Sequence, residues 1–204
     1  MVESQLRSRQ IRDERVLRAM QAIPREYFVP PQFRHSAYTD QPIDIGYGQT
    51  ISQPYMTALM AQTLELDSSD SVLEVGAGCG YAAAVMGSIA KRVVSIEIVP
   101  ELAAIARDNL HYVGRDGNIT IIGGDGSMGY ESRAPYDAIS VAAGAPHVPE
   151  SLVDQLKTPG RLVIPVGDRG DQELRVLHKT RDGLLWNVVT QCRFVPLRGG
   201  EGWN

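Results

Sequence analysis

Cysteine is scarce in this 204-residue chain: there are two, Cys79 and Cys192, far apart in sequence. They have neither the paired spacing of a metal site nor the number that a disulfide framework needs. Long apolar runs are missing as well. No segment reaches the ~18 uninterrupted apolar residues of a membrane helix. The opening MVESQLRSRQIRDER is polar and charged where a secretory signal needs an apolar core. Positive charge is in deficit, with 20 Lys and Arg against 24 Asp and Glu and a net charge of −4. The basic residues are scattered, which argues against a nucleic-acid partner. Repeats and low-complexity tracts are absent. A cytoplasmic protein, off the membrane and without a metal centre, is the plain expectation.

What the chain does contain is an ordinary apolar share, 43%, enough for a substantial core at this length. No linker divides it, so residues 1–204 are expected to form one domain. Residues 1–70 read as N-terminal helices and loop, and 71–204 as a sheet with its helices. Leu6, Ile11, Val16, Leu17, Met20 and Ile23 recur at helical spacing, with Asp13 as the N-cap of a second helical piece and Pro24 as its stop. Residues 24–52, rich in Pro, Gly and Tyr, read as mostly loop. Gln53-Pro54 opens a helix carrying Met56, Leu59, Met60, Leu64 and Leu66. Beyond residue 71, apolar runs at Val72–Val75, Val93–Ile98, Ile119–Ile122, Asp137–Val141 and Leu162–Val166 alternate with helical stretches at Tyr81–Ala90, Pro100–Leu110 and Pro149–Leu156. This alternation predicts an α/β fold with a doubly wound, mostly parallel sheet. Over 171–197 the pattern changes. Leu174, Val176 and Leu177, then Leu184–Val189 and Arg193–Leu197, read as strands, with a turn at Asp182-Gly183, and predict an antiparallel C-terminal edge.

Glu74-Val-Gly76-Ala-Gly78-Cys-Gly80 falls at a strand-to-helix turn, where glycine lets the backbone bend and a ligand come close. The dinucleotide fingerprint reads G-x-G-x-x-G. Here the third glycine comes one position early and Tyr81 fills the later slot, which disfavours a dinucleotide oxidoreductase. Glu74 ends the strand, and a carboxylate there repels pyrophosphate but suits a ligand carrying an ammonium and a sulfonium. Glu97 ends the next strand, where an acid binds ribose hydroxyls in nucleotide folds. Asp125-Gly126 follows the third strand and offers an acceptor to an adenine amine, although Asp-Gly is also a common turn pair. All three lie at the carboxyl ends of successive strands, the edge at which open α/β sheets bind ligands. Gly46–Tyr55 gathers small hydroxyls just before a helix; capping of that helix by Thr50 or Ser52 is the competing reading. His35 and His147 stand alone and read as packing or surface groups, and Trp203 reads as a fraying terminus.

Several segments carry a family pattern: G-Q-T-I-S-Q-P-Y-M (48–56), V-L-E-V-G-A-G-C-G-Y (72–81), G-D-G (124–126) and F-V-P-L (194–197). V-L-x-A-M-x-x-I-P-R-E-Y-F-V-P (16–30), P-Y-D-A-I-S-V-A-A-G-A-P-H-V-P (135–149) and L-K-T-P-G-R-L-V-I-P-V-G (156–167) extend it over nearly the whole chain. Together they resemble the protein-L-isoaspartate (D-aspartate) O-methyltransferases. The glycine motif is common to class I methyltransferases, whereas T-I-S-Q-P-Y is far more specific.

The resemblance implies a class I S-adenosylmethionine-dependent methyltransferase fold. It implies S-adenosyl-L-methionine as methyl donor, with S-adenosyl-L-homocysteine as product, and isoaspartyl-containing proteins and peptides as partners of a monomer. Esters of the misplaced carboxylate collapse to succinimide and partly reopen as normal Asp, so the activity is repair. Ser52 is implied as the active-site hydroxyl. Gln49, Thr50 and Ile51 line the cofactor with Thr57 nearby, and Gly76, Gly78 and Cys79 form the loop at its methionine end. Glu97 holds the ribose, Asp125 and Gly126 face the adenine, and Val195-Pro196-Leu197 cradles the substrate backbone. Cys79 departs from the Ser or Thr of many relatives, and the tail RGGEGWN matches no family pattern. The alternatives are a class I methyltransferase with a small-molecule acceptor and a non-catalytic cofactor-binding sensor.

Overall fold

Asp13 caps the first helix, α1 (Glu14–Ala22), by accepting the Arg15 N–H, as the sequence predicts. The computed structural model describes residues 1–203. Ahead of α1 the helical spacing breaks into a π turn (Val2–Leu6) and a 3-10 turn (Arg7–Arg9). Two more 3-10 turns, Arg25–Phe28 and Pro31–Ser36, lead into a hairpin that the sequence reading took for loop. In it β1 (Ile43–Gly46) pairs antiparallel with β2 (Gln49–Ile51). The turn needs left-handed backbone at Gly46 (φ +86), Tyr47 (φ +58) and Gly48 (φ +69). Strands this short leave no legible alternation. α2 (Pro54–Thr63) starts with Pro54 in its first turn, where a missing N–H breaks no helical bond. Its N-cap is Gln53 without a side-chain cap bond, so the hydroxyls of Thr50 and Ser52 are not taken up in capping.

The predicted alternation follows: β3 (Ser71–Val75), α3 (Tyr81–Gly87), β4 (Arg92–Glu97), α4 (Pro100–Tyr112), β5 (Ile119–Gly123), β6 (Tyr136–Val141), α5 (Glu150–Asp154) and β7 (Leu156–Gly167). β8 (Gln172–Thr180) and β9 (Gly183–Cys192) complete a seven-stranded sheet ordered β5-β4-β3-β6-β7-β8-β9. Neighbours from β5 to β7 are parallel and the last two pairs antiparallel. β3 is buried along its whole length. Leu73 and Val75 pack with Ile139 and Leu162 on one side, and Val72 packs with Met60 and Met86 on the other. The N-terminal segment does not stand apart: Leu6, Leu17 and Phe28 share a core with Tyr81, Ala103 and Leu110 of α3 and α4.

Arg193–Leu197 differs from expectation. It is not a strand of the sheet. Pro196 has no N–H to give a ladder, and the segment instead grips the loop after β6. Gly144 N–H donates to Val195 O and Leu197 N–H to Gly144 O, both at 2.8 Å. The chain leaves β3 for β4 and β5, then crosses back to β6 on the other side. That reversal opens a crevice at the carboxyl ends of β3 and β6.

The turn into this crevice depends on Gly80, the N-cap of α3 at φ +89. A Cβ there would meet Ala106 O at 3.2 Å and Leu110 Cγ at 3.3 Å. Gly80→Ala is expected to lower stability by about 2 kcal/mol, seen as a lower urea midpoint at unchanged m value.

Candidate active site

The crevice is a cleft of about 790 Å³, measured out to its open mouth. Its walls are Gly76, Gly78 and Cys79 from the turn after β3, Glu97 from β4, Gly126, and Val195, Pro196 and Leu197. Gln49, Thr50, Ile51 and Ser52 close one side with Thr57 of α2. Of the residues implied as catalytic, cofactor-binding or substrate-binding, Glu74 and Asp125 lie off this wall.

Gly76 (φ +92) and Gly78 (φ +53) hold the loop in left-handed backbone that other residues rarely adopt. Glu97 fastens the loop to its own strand. Its Oε2 accepts Gly78 N–H at 2.8 Å and its Oε1 accepts Val99 N–H at 3.0 Å. A carboxylate has about four acceptor positions, so two remain for hydroxyls of a ligand. Cys79 is buried, and burial pushes its thiol up to about 11, so it packs as a small neutral group. Gly126 admits no larger residue, since a Cβ would come within 2.6 Å of Val75 Cγ1.

Ser52 is half-buried and stands where three spaces meet. It borders the cleft, an open groove lined by Pro42, Met56, Arg193, Phe194 and Val195, and a small inner cavity shared with Thr57, Glu74 and Ser140. Its backbone is held by a residue that the sequence reading missed. Arg25 is fully buried; its Nη2 donates to Ser52 O at 2.7 Å and its Nε to Ala37 O at 2.8 Å. The guanidinium lies over the Tyr81 ring, 4.6 Å from the centroid. Among the described residues its Nη1 has no hydrogen-bond partner and the guanidinium forms no ion pair. The available signal was a charged residue inside Ile23-Pro-Arg-Glu-Tyr-Phe28, a stretch whose two ends are buried.

Glu74 is the main correction. It sits one residue before the end of β3, not at the end, and side chains alternate along a strand. Val75 therefore faces the cleft while Glu74 turns to the α2–α3 side, behind Ser52. It is fully buried, accepts a short hydrogen bond from Ser95 Oγ, and leaves Oε1 unpartnered toward the inner cavity. Burial pushes its pKa up to about 8, against the opposing pull of the Ser95 bond. Burial thus favours the protonated acid over a standing carboxylate. Asp125 lies beside the cleft, with Oδ1 accepting Ser127 N–H and Oγ–H at 2.8 and 2.7 Å and Oδ2 accepting Gly200 N–H at 2.8 Å. His35 and His147 are exposed and off the cleft, as expected. Trp203 is not frayed: its Nε1–H donates to Gly144 O at 3.0 Å.

Glu74 carries a pH signature. Its folded pKa lies above the ordinary value of 4.5, so between pH 4.5 and about 8 the native state holds a proton that the unfolded state has lost. Stability contributed through this group falls as pH rises through that window. Glu74→Gln is therefore expected to be more stable than the parent at pH 8, the gain vanishing below pH 4.5, in urea titrations across that range.

Comparison with known proteins agrees with this geometry. The family model described as protein-L-isoaspartate(D-aspartate) O-methyltransferase matches residues 1–202. A protein-L-isoaspartate O-methyltransferase of Hyperthermus butylicus is 50% identical over 214 positions, covering 100% of this chain and 89% of its own. One from Methanopyrus kandleri is 51% identical, covering 95% and 87%. A solved protein-L-isoaspartate O-methyltransferase superposes with TM-score 0.84 at 32% identity over 98% of this chain and 67% of that one. A Plasmodium falciparum structure of the same description, in complex with S-adenosyl-L-homocysteine, gives TM-score 0.83 at 27% identity over 94% of both chains. The chain belongs to the protein-L-isoaspartate (D-aspartate) O-methyltransferase family.

Proposed function

We propose that the chain transfers the methyl group of S-adenosyl-L-methionine to the free carboxylate of L-isoaspartyl residues in damaged proteins and peptides, with Ser52 orienting the acceptor. The observation that carries this reading is the position of Ser52, between a cleft of cofactor size and a second groove beside it. The cleft suits the cofactor. Glu97 keeps two acceptor positions for ribose hydroxyls, Gly126 lines the adenine end with Asp125 beside it, and Gly76, Gly78 and Cys79 bring backbone close to the methionine end. Gln49, Thr50, Ile51 and Thr57 form the remaining wall. The groove suits an anionic chain: among the described residues it is lined by Arg193 and by no acid, and Val195, whose carbonyl accepts Gly144 N–H, forms a fixed edge between it and the cleft, where Pro196 and Leu197 continue the wall.

When bound, the cofactor supplies an electrophilic methyl on a sulfonium. A carboxylate with a pKa near ~3.9 is ionised at pH 7 and attacks without losing a proton, so the site needs no general base. Its work is alignment, which contributes as much as ~7–11 kcal/mol when reacting groups are held in line. Ser52 Oγ–H donates to the acceptor carboxylate and fixes its rotation. Arg25 holds the Ser52 carbonyl, and hence the hydroxyl, in place. Burial of Glu74 disfavours its charged form behind Ser52, which lessens the repulsion of an incoming anion.

The test uses methyl-labelled cofactor and two peptides that differ only in Asp against isoAsp. Labelling of isoAsp alone is expected; labelling of both, or of neither despite tight cofactor binding, overturns the reading. A hydrogen bond to a charged group is worth ~1.5–3 kcal/mol. Ser52→Ala is therefore expected to lower kcat roughly 10- to 150-fold while S-adenosyl-L-homocysteine affinity stays as in the parent. Parent-like turnover in that variant would remove Ser52 from the mechanism. Work as a cytoplasmic monomer, with the whole chain as one domain, is part of the same proposal and is checked by cell fractionation and sedimentation. A membrane-spanning role finds no support: among the described residues no helix is long and apolar enough to cross a bilayer.

A further inference from the structure

The tail after Leu197 folds into a built structure at the end of the cleft where Gly126 lies. Trp203 N–H donates to Leu197 O at 2.7 Å and Gly202 N–H to Gly199 O at 3.1 Å, so the segment closes on itself. Trp203 Nε1–H anchors it to Gly144 O at 3.0 Å. Glu201 N–H donates to Ser127 Oγ at 3.0 Å. The Glu201 carboxylate accepts Glu150 N–H at 2.6 Å and bonds Ser151 through its N–H and its hydroxyl, which fastens the tail to the start of α5. Leu197 and Arg198 at its root line the cleft itself.

The tail also holds Asp125. Gly200 N–H donates to Asp125 Oδ2 at 2.8 Å. Gly199 sits at φ +131, and a Cβ there would overlap the Asp125 carboxyl group. With Ser127 holding Oδ1 through two donors, three of about four acceptor positions on Asp125 are occupied. One is left. The same bonds keep the group ionised: burial acts to raise its pKa, but the Gly200 N–H and the Ser127 bonds outweigh burial and the net shift is downward.

We infer that Gly199, Gly200 and Glu201 are positioning residues for adenine recognition, holding Asp125 so that its one open acceptor position takes a single N–H donor from the base. The inference rests on the proposed adenine role of Asp125. It adds that the choice of base is set by a tail some 75 residues further along the chain. The diglycine permits the close approach, and Glu201 ties the approach to α5. An adenine presents an amine donor at the exocyclic position. A hypoxanthine presents a carbonyl there and would face the carboxylate with a like dipole.

The experiment is isothermal titration of the full chain and its variants with S-adenosylhomocysteine and with its inosine counterpart. The parent is expected to prefer the adenosine form by about 10- to 150-fold, the span of one hydrogen bond to a charged group. Gly199→Ala, whose methyl collides with Asp125, is expected to lose affinity for the adenosine form alone and to compress the preference below about threefold. Glu201→Gln weakens the anchor without adding bulk and is expected to compress it partway, with a thermal midpoint close to the parent's. A general structural defect would weaken both ligands equally, so a preserved ratio in both folded variants overturns the tail's role and leaves the Asp125 assignment standing. A parent that does not distinguish the two bases overturns both.

Discussion

Arg25 is a buried cation without an ion pair among the described residues, and the Ser52 side of the cleft is arranged around its guanidinium. An enclosed charge costs several kcal/mol unless its donors are met. Here Nε and Nη2 are met by two backbone carbonyls, those of Ala37 and Ser52, and the guanidinium lies over the face of Tyr81, while Nη1 is left without a hydrogen-bond partner among the described residues. Those three contacts come from separate places: the turn before the hairpin, the link into α2, and the first residue of α3. Movement of any one leaves the charge worse satisfied, so they are constrained together. Tyr81 is braced in turn by Phe28, whose ring lies edge-on at 5.4 Å. A planar fork can span two carbonyls and stack on a ring at once, which an ammonium cannot. The hydroxyl of Ser52 and the glycine turn that precedes Tyr81 are thereby kept in one frame by a side chain outside the cleft lining.

Three acids at or near the ends of successive strands have been put to three different uses. Glu97 turns its two oxygens inward to backbone N–H groups and binds its own glycine loop before it binds anything else. Asp125 is held by Ser127 and the tail. Glu74, one residue short of its strand end, is enclosed, and burial disfavours its charged form. The negative charge therefore lies at the Glu97 and Asp125 end of the cleft, with little behind Ser52. That distribution suits a cationic donor approached by an anionic acceptor, since an ionised Glu74 behind the hydroxyl would repel the second while attracting the first.

The fold was largely legible because its signals are local. β-branched runs, a proline at the head of α2 and of α4, and Asp13 before α1 each act within a few residues of themselves. Where the reading went astray, distant partners decided. The β1–β2 hairpin is too short to show a period and is held by packing, with Ile45 against Gly78. Arg193–Leu197 has strand-like composition but spends its hydrogen bonds on Gly144. Trp203, at the end of an unremarkable tail, is anchored by that same residue. The glycine turn survives as the centre of the site, yet its neighbour Glu74 had to be reassigned because one step along a strand reverses the face.

Sequence alone determined the alternation of strands and helices, the crevice at the carboxyl edge of the sheet, and the presence there of Glu97, the glycine turn and the Thr50–Ser52 hydroxyls. These follow from periodicity and from residue types whose backbone demands are local. Tertiary structure decided the ionisation of Glu74, the clamp of Arg25 on Ser52 and the grip of the tail on Asp125. Each depends on desolvation or on a hydrogen bond between residues tens of positions apart, and neither has any trace in the order of the residues themselves.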